Sequence, residues 1–186
     1  MLKEILTSIY PLSNESFKLI EAIVEYESHA KGTTFVHKNR TNNKEYILLD
    51  GICKSFLFNP DGDEITITFF NSKSILSPYT TRTLNGLSTF YFKALTPVEF
   101  VTLDSNKFDQ LILQNNEIRE FANRVLRLEL LGKIKKEINL ASLSAKDRLL
   151  AFREQFPTLE NLIPHPDIAS YLGITTISLS RLRGKK

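Results

Sequence analysis

Apolar residues recur at steps of three and four from Leu2 to Tyr26, at Ile5, Ile9, Leu12, Phe17, Ile20 and Val24, and Pro11 and Ser13 divide the stretch into two short helices. The texture changes at Gly32. From there to Leu103, short runs of Phe, Thr, Ile, Val and Tyr alternate with turn residues, which predicts strands at 34–36, 45–50, 52–58, 64–70, 88–94 and 98–103. Asn59-Pro60-Asp61-Gly62-Asp63 falls between two of them as a hairpin connection, and no full calcium-binding loop follows Asp61, Asp63 and Glu64. This many short strands in one stretch predicts a small antiparallel barrel or jelly roll.

Helical spacing returns at Phe108. It continues through Leu111 or Ile112, Ile118, Phe121, Val125, Leu128, Leu131, Ile134 and Ile138, as one long helix broken near Asn115 and Asn116. Arg119, Arg124, Arg127, Lys133, Lys135 and Lys136 interleave with the stripe and make the opposite face basic. Two readings of the stripe stand side by side: packing of Ile118, Phe121, Val125, Leu128 and Leu131 against a symmetry mate, or a single amphipathic helix lying on its own barrel. Ser144, with Asp147 three residues later, opens a further helix that ends before Pro157.

Residues 168–186 read IASYLGITTISLSRLRGKK. Ile168, Ala169 and Leu172 share one face of a short helix opened by Pro166, and Gly173 permits a turn. Ile174 plugs the angle between two helices, and Thr175 is a suitable N-cap for a second helix over 176–183. Leu179 and Leu182 then face inward. Thr176, Ser178, Ser180, Arg181 and Arg183 face outward with side chains suited to phosphates and base edges, so with Thr175 and the tail residues Lys185 and Lys186 they are the candidate DNA contacts. A helical hairpin that merely closes a core is the alternative.

Charge separates these readings. Residues 1–104 carry ten Lys+Arg against twelve Asp+Glu, a net −2, whereas 105–186 carry fourteen against nine, a net +5. The basic character is concentrated where the helical pair lies, as phosphate binding requires. The 186 residues, 42% hydrophobic and 24% charged, are enough for one large domain or two small ones. Apolar runs as short as 46–49 cannot span a bilayer, and MLKEILTSIY, with Glu4 inside it, has no secretory core, so a cytoplasmic protein is expected. The single cysteine, Cys53, makes no internal disulfide and is read as core.

The order of short helices, β-roll, long helix and terminal helical pair resembles the cyclic-AMP receptor protein and fumarate-nitrate regulator (Crp/Fnr) superfamily of bacterial transcription factors. Lys31-Gly32-Thr33-Thr34-Phe35, with the run from Glu45 to Gly51, is similar to the family's first strands, and Asp61-Gly62-Asp63-Glu64 with 65–70 to its next hairpin. Ile168-Ala169, Leu172-Gly173-Ile174 and Leu179-Ser180-Arg181 resemble its helix-turn-helix. Carried over by position, Thr176, Ile177 and Arg181 occupy the base-reading places, and only Arg181 keeps a side chain typical of them.

Two departures shape the expectation. Nucleotide-binding relatives use a cassette with Gly-Glu and a later arginine, whereas this chain has Ser74 to Arg82 without Gly-Glu, and Ser88 and Thr89 where the arginine segment belongs. A buried phosphate would keep uncompensated charge there, so cyclic AMP is not the expected effector. Arg82 is read as an exposed loop residue, with replacement of the missing charge as the alternative. The chain also stops at Lys186, leaving no residues for a β-hairpin wing.

The resulting expectation is an α+β protein with N-terminal helices and an antiparallel, jelly-roll-like β-roll over 1–104. A dimerisation helix follows over 105–139, and a wingless helix-turn-helix over 140–186. It would act as a homodimeric transcription regulator on double-stranded DNA, in reach of RNA polymerase, with an unidentified small-molecule effector or none, and with no membrane, metal or cofactor. Tyr79, Arg82, Ser88, Thr89 and Phe90 are the candidate effector pocket. The aromatics Phe56, Phe58, Phe69, Phe90, Tyr91 and Phe92 are read as core before pocket lining. A cupin-type enzyme would need a His-x-His pair, and His29, His37 and His165 are scattered, so no enzyme or haem site is expected. A dimeric scaffold that binds a protein or small ligand without specific DNA binding is the competing class.

Overall fold

The computed structural model describes residues 1–184. Helices α1 (Leu2–Ile9) and α2 (Asn14–Glu21) come first, and Ser13 caps the second by accepting the Ser16 N–H at 3.2 Å. Ten strands follow: β1 (Val24–His29), β2 (Thr34–Val36), β3 (Lys44–Asp50), β4 (Ile52–Phe58), β5 (Glu64–Asn71), β6 (Ser74–Ile75), β7 (Thr83–Leu84), β8 (Leu87–Ser88), β9 (Tyr91–Ala94) and β10 (Val98–Asp104). The short helix α3 (Tyr79–Arg82) lies between β6 and β7. The strands form two four-stranded sheets, ordered β1-β10-β3-β6 and β2-β9-β4-β5, and a β7-β8 hairpin. Then come α4 (Ser105–Gln114), α5 (Asn116–Ser142), α6 (Ala145–Gln155), α7 (His165–Leu172) and α8 (Thr176–Gly184).

The helical reading of 2–26 is corrected at its end. Val24 belongs to β1, which pairs antiparallel with β10 from Val24↔Leu103 to His29↔Val98. The free edge of β10 offers a backbone ladder to residues whose 3.6-residue spacing matches a helix by coincidence, and the tertiary partner overrides the local pattern. The expected strand at 88–94 is likewise two pieces. Asn85 (φ 54°) and Gly86 (φ 75°) form a tight turn between β7 and β8, and the Asn-Gly dipeptide is the sequence signal for it. The break in the long helix falls at Asn115, whose side chain accepts the Ile118 N–H at 3.1 Å and restarts the helix.

The described residues divide into two compact units, Met1–Lys54 with Phe69–Leu130, and Ser55–Thr68 with the chain from Leu131 on. Position 104 lies inside the first unit, and position 139 lies within α5, which runs on to Ser142. In the first unit, alternation along β3 splits its residues between two cores. Ile47 and Leu49 join Ile5, Leu6, Ile20, Phe108, Ile118 and Phe121 on the helix side. Tyr46 and Leu48 join Phe70, Phe92 and Phe100 inside the roll. The second unit closes around Leu149, Phe152, Phe156, Ile168, Leu172 and Leu179, all buried. Among the described residues no helix is long and apolar enough to cross a membrane.

Gly51, between β3 and β4, has φ +95°, and a Cβ there would meet the Pro97 carbonyl oxygen at 2.2 Å. The left-handed backbone alone costs a non-glycine residue about 1–2 kcal/mol. Gly51→Ala is therefore expected to lower unfolding stability by more than about 2 kcal/mol in urea titrations, without a change in far-UV circular dichroism at low denaturant.

Candidate nucleic-acid interface and ligand site

Arg82 overturns its expected exposure: it is 0% exposed. The helix α3 turns it inward, where Nε donates to the Ser77 carbonyl at 3.1 Å, Nη1 to Asn42 Oδ1 at 3.0 Å, and Nη2 to the Lys44 carbonyl. Its guanidinium also lies 5.4 Å from the Tyr46 ring centroid and 5.7 Å from that of Tyr79. These bonds make burial of the charge tolerable, since a guanidinium without acceptors would cost several kcal/mol. The signal in sequence is that Arg82 is the lone charge between Ser77 and Thr89.

Around it the structure brings together part of the candidate pocket. The Thr89 N–H and hydroxyl both donate to the Arg82 carbonyl, at 2.8 and 2.7 Å. The Tyr79 N–H donates to both carboxylate oxygens of Glu45, at 3.0 and 2.9 Å. Ser88, buried, instead donates to the Phe90 carbonyl at 2.8 Å. Glu45 was not among the expected site residues. Burial pushes its carboxyl up to about 7, with Asp109 adding to the rise and the Tyr79 N–H and Arg82 opposing it. Inside the roll, Phe35, Tyr46, Phe92 and Phe100 pack ring against ring, so these aromatics fill space as core. Phe56, Phe69 and Phe92 are buried, while Phe58 is 51% exposed.

The helix α5 divides its stripe. Ile118 and Phe121 are 0% and 4% exposed and pack into their own domain, so they are withdrawn from the expected dimer surface. Val125 is half-buried. Along the stripe the exposed residues are Leu128 at 43% and Leu131 at 61%, followed on the same spacing by Ile134 and Ile138, and Leu130 and Leu140 beside it are exposed as well. The burial of Ile118 and Phe121 follows from what lies beneath: residues of α1 and α2 join the first turns of α5 in one core.

In the second unit α7 ends at Gly173 (φ 66°), after which the Ile174 N–H returns to the Ala169 carbonyl at 3.0 Å. Thr175 caps α8. Its hydroxyl accepts the Ser178 N–H at 3.1 Å and meets the Ser178 hydroxyl at 2.9 Å, so both side chains are engaged in the turn. Leu179 is 1% exposed and Leu182 half-buried. Thr176, Ile177, Ser180 and Arg181 face solvent, Ile177 at 64% exposure. Arg183 is drawn aside: its Nε pairs with Glu160 at 2.7 Å, and its Nη1 donates to the His165 ring. Arg153 pairs with the same carboxylate at 2.6 Å and, with Arg183, holds it below its ordinary pKa. Lys185 and Lys186 lie outside the described residues.

Residues 26–115 match the cyclic nucleotide-binding domain family. Over 85% of its length the chain is 24% identical to the global nitrogen regulator of Nostoc sp., covering 76% of that protein. The solved structure of FixK2 from Bradyrhizobium japonicum matches with a TM-score of 0.75 at 15% identity, over 88% of this chain and 84% of that one. A protein from Eubacterium rectale described as a transcriptional regulator of the Crp/Fnr family matches with a TM-score of 0.73 at 14% identity, over 94% and 85%. By fold, this chain is of the Crp/Fnr type. Within this fold, the part that matches the cyclic nucleotide-binding domain family begins inside β1 and ends just after α4. The N-terminal helices, antiparallel roll and long α5 take the order expected of that fold.

Glu45 gives the first unit a pH dependence. Its carboxyl titrates near 4.5 when unfolded and at about 7 when folded, so between these values the folded state holds the extra proton. The contribution is complete below the lower value and is lost as pH rises through the upper one. Denaturant midpoints measured at about pH 5 and about pH 8 should therefore fall with pH, and the fall should be smaller in Glu45→Gln.

Proposed function

We propose that this chain is a homodimeric, DNA-binding transcription regulator whose output does not depend on cyclic AMP. The observation that carries the reading is the outward face of α8. Thr176, Ile177, Ser180 and Arg181 are exposed there on a helix seated by Leu179 and oriented by the Gly173 turn and the Thr175 cap. A short helix with a guanidinium, two hydroxyls and one aliphatic group facing out suits a major groove. Arg181 would read guanine, Ile177 would touch a thymine methyl, and Lys185 and Lys186 would neutralise phosphates. Thr175 and Ser178, engaged in the cap, and Arg183, paired with Glu160, contribute by holding α8 in place.

Leu128, Leu131, Ile134 and Ile138, a spaced apolar row with Leu130 and Leu140 also exposed beside it, support pairing of α5 with a second copy. Against cyclic AMP stand the missing Gly-Glu pair and an Arg82 whose donors already meet Ser77, Asn42 and Lys44. RNA polymerase is a further partner of this reading if the regulator activates transcription.

Selection from random duplex DNA at two salt concentrations should enrich a palindromic site. Arg181→Ala should weaken binding to that site by about 1–3 kcal/mol and relax preference at one position per half-site. If each subunit neutralises about four phosphates, log affinity should fall against log salt with a slope near −7. Equal binding of all sequences by both proteins would place the scaffold reading first. Light scattering should give twice the 21.3 kDa chain mass, reduced to the monomer in Leu131→Glu/Ile134→Glu with the helical circular dichroism retained.

A further inference from the structure

Between the helix-facing side of β3 and the helices α4 and α5, the first unit contains a cavity of about 70 Å³. It lies on the opposite side of β3 from the interior of the roll, because Ile47 lines it while Tyr46 and Leu48 point into the roll. Its walls are mostly aliphatic and aromatic, with Ile47, Phe108, Phe121 and Val125 among them. The polar side chains that reach it are Glu45, Asp109 and Thr80, and among the described residues no lysine, arginine or histidine lines it. The Glu45 carboxylate is fixed in place by the Tyr79 N–H on both oxygens.

We propose that this cavity binds a small organic ammonium ion with a short apolar tail, the tail among Ile47, Phe108 and Val125 and the head group at Glu45 and Asp109. Convergence of an apolar pocket with a few oriented polar groups is the ordinary form of a small-ligand site. The sign of the ligand follows from the lining. Two carboxylates in the lining disfavour an anionic head group, the nearby Arg82 guanidinium having its donors turned to Ser77, Asn42 and Lys44, and they favour an ammonium that supplies two or three donors. An alcohol would recover the apolar contacts and one hydrogen bond without the charge. Arg82 on α3 and Asp109 on α4 act on Glu45 in opposite directions, and the ammonium tips the balance toward the ionised carboxylate. Binding should therefore tighten as pH rises through about 7.

Isothermal titration and methyl NMR of the full chain with n-butylammonium, n-butanol and n-butanoate test this directly, and their readout is independent of whether α8 binds DNA. Butylammonium should bind saturably and about tenfold or more tighter than butanol, with no binding of butanoate. Lengthening the tail from ethyl to butyl should tighten binding about fourfold per methylene, the equivalent of about 0.8 kcal/mol. In Glu45→Gln the amine should lose its advantage over the alcohol, and in Ala122→Leu, which fills the cavity from α5, all three should fail to bind. The proposal is overturned by butanoate binding as tightly as butylammonium, by an unchanged amine-to-alcohol ratio in Glu45→Gln, or by no saturable binding of any amine. If Ala122→Leu does not fold, the ratio in Glu45→Gln decides.

Discussion

Burial of β3 on both faces is the constraint around which the first unit is organised. A strand with one wet face alternates apolar and polar residues, whereas β3 runs Tyr46-Ile47-Leu48-Leu49 without interruption, each residue 7% exposed or less. Odd positions close the helix-side core and even positions the interior of the roll, so a one-residue slip in its pairing with β10 would exchange the two sets. The bulge at Glu99 and Phe100, and the tight approach of Gly51 to Pro97, fix that register.

The polar architecture of the unit depends on the same strand. Lys44 and Glu45 sit at its first residues, where the alternation starts, and α3 is fastened to both: Arg82 reaches the Lys44 carbonyl, and the Tyr79 N–H reaches the Glu45 carboxylate. A guanidinium and a carboxyl are thus buried near one another without a direct ion pair. Neutral acceptors satisfy the arginine, and the carboxyl responds by titrating higher. Loss of either partner would leave a buried charged group with fewer compensating bonds, which is the expensive case for ionic groups in a core.

In the second unit, hydrogen bonding to backbone plays the corresponding part. The Thr66 N–H donates to Ser170 Oγ at 2.7 Å, Ser170 in turn donates to the Glu64 carbonyl at 3.3 Å, and Lys136 donates to the Ile67 carbonyl. These tie the β4–β5 hairpin tip to α7 and α5. Lys136 also lies 4.1 Å from the Tyr171 ring centroid, and its burial lowers its pKa to about 8. The position of α8 follows from these fastenings through α7 and the Gly173 turn, with the Arg153–Glu160–Arg183 cluster holding its far end.

Elements governed by neighbours in sequence were legible in the chain: the division of the first helices at Pro11 and Ser13, the helix starts at Ser144 and Thr175, the hairpin at Asn59 to Asp63, the break at Asn115 and the helical pair around Gly173. Their causes are local, a side-chain oxygen three residues from an unpaired amide or a backbone that only glycine adopts readily. The tertiary structure decided the rest. It drew Val24 to His29 into a sheet by the offer of β10, turned Arg82 from solvent into the protein, withdrew Ile118 and Phe121 from the surface, and made a cavity beside Glu45. Each of these depends on residues distant in sequence. Periodicity identifies the apolar face of a helix or strand, while the charge state and exposure of a side chain are set by whatever other segments are folded against it.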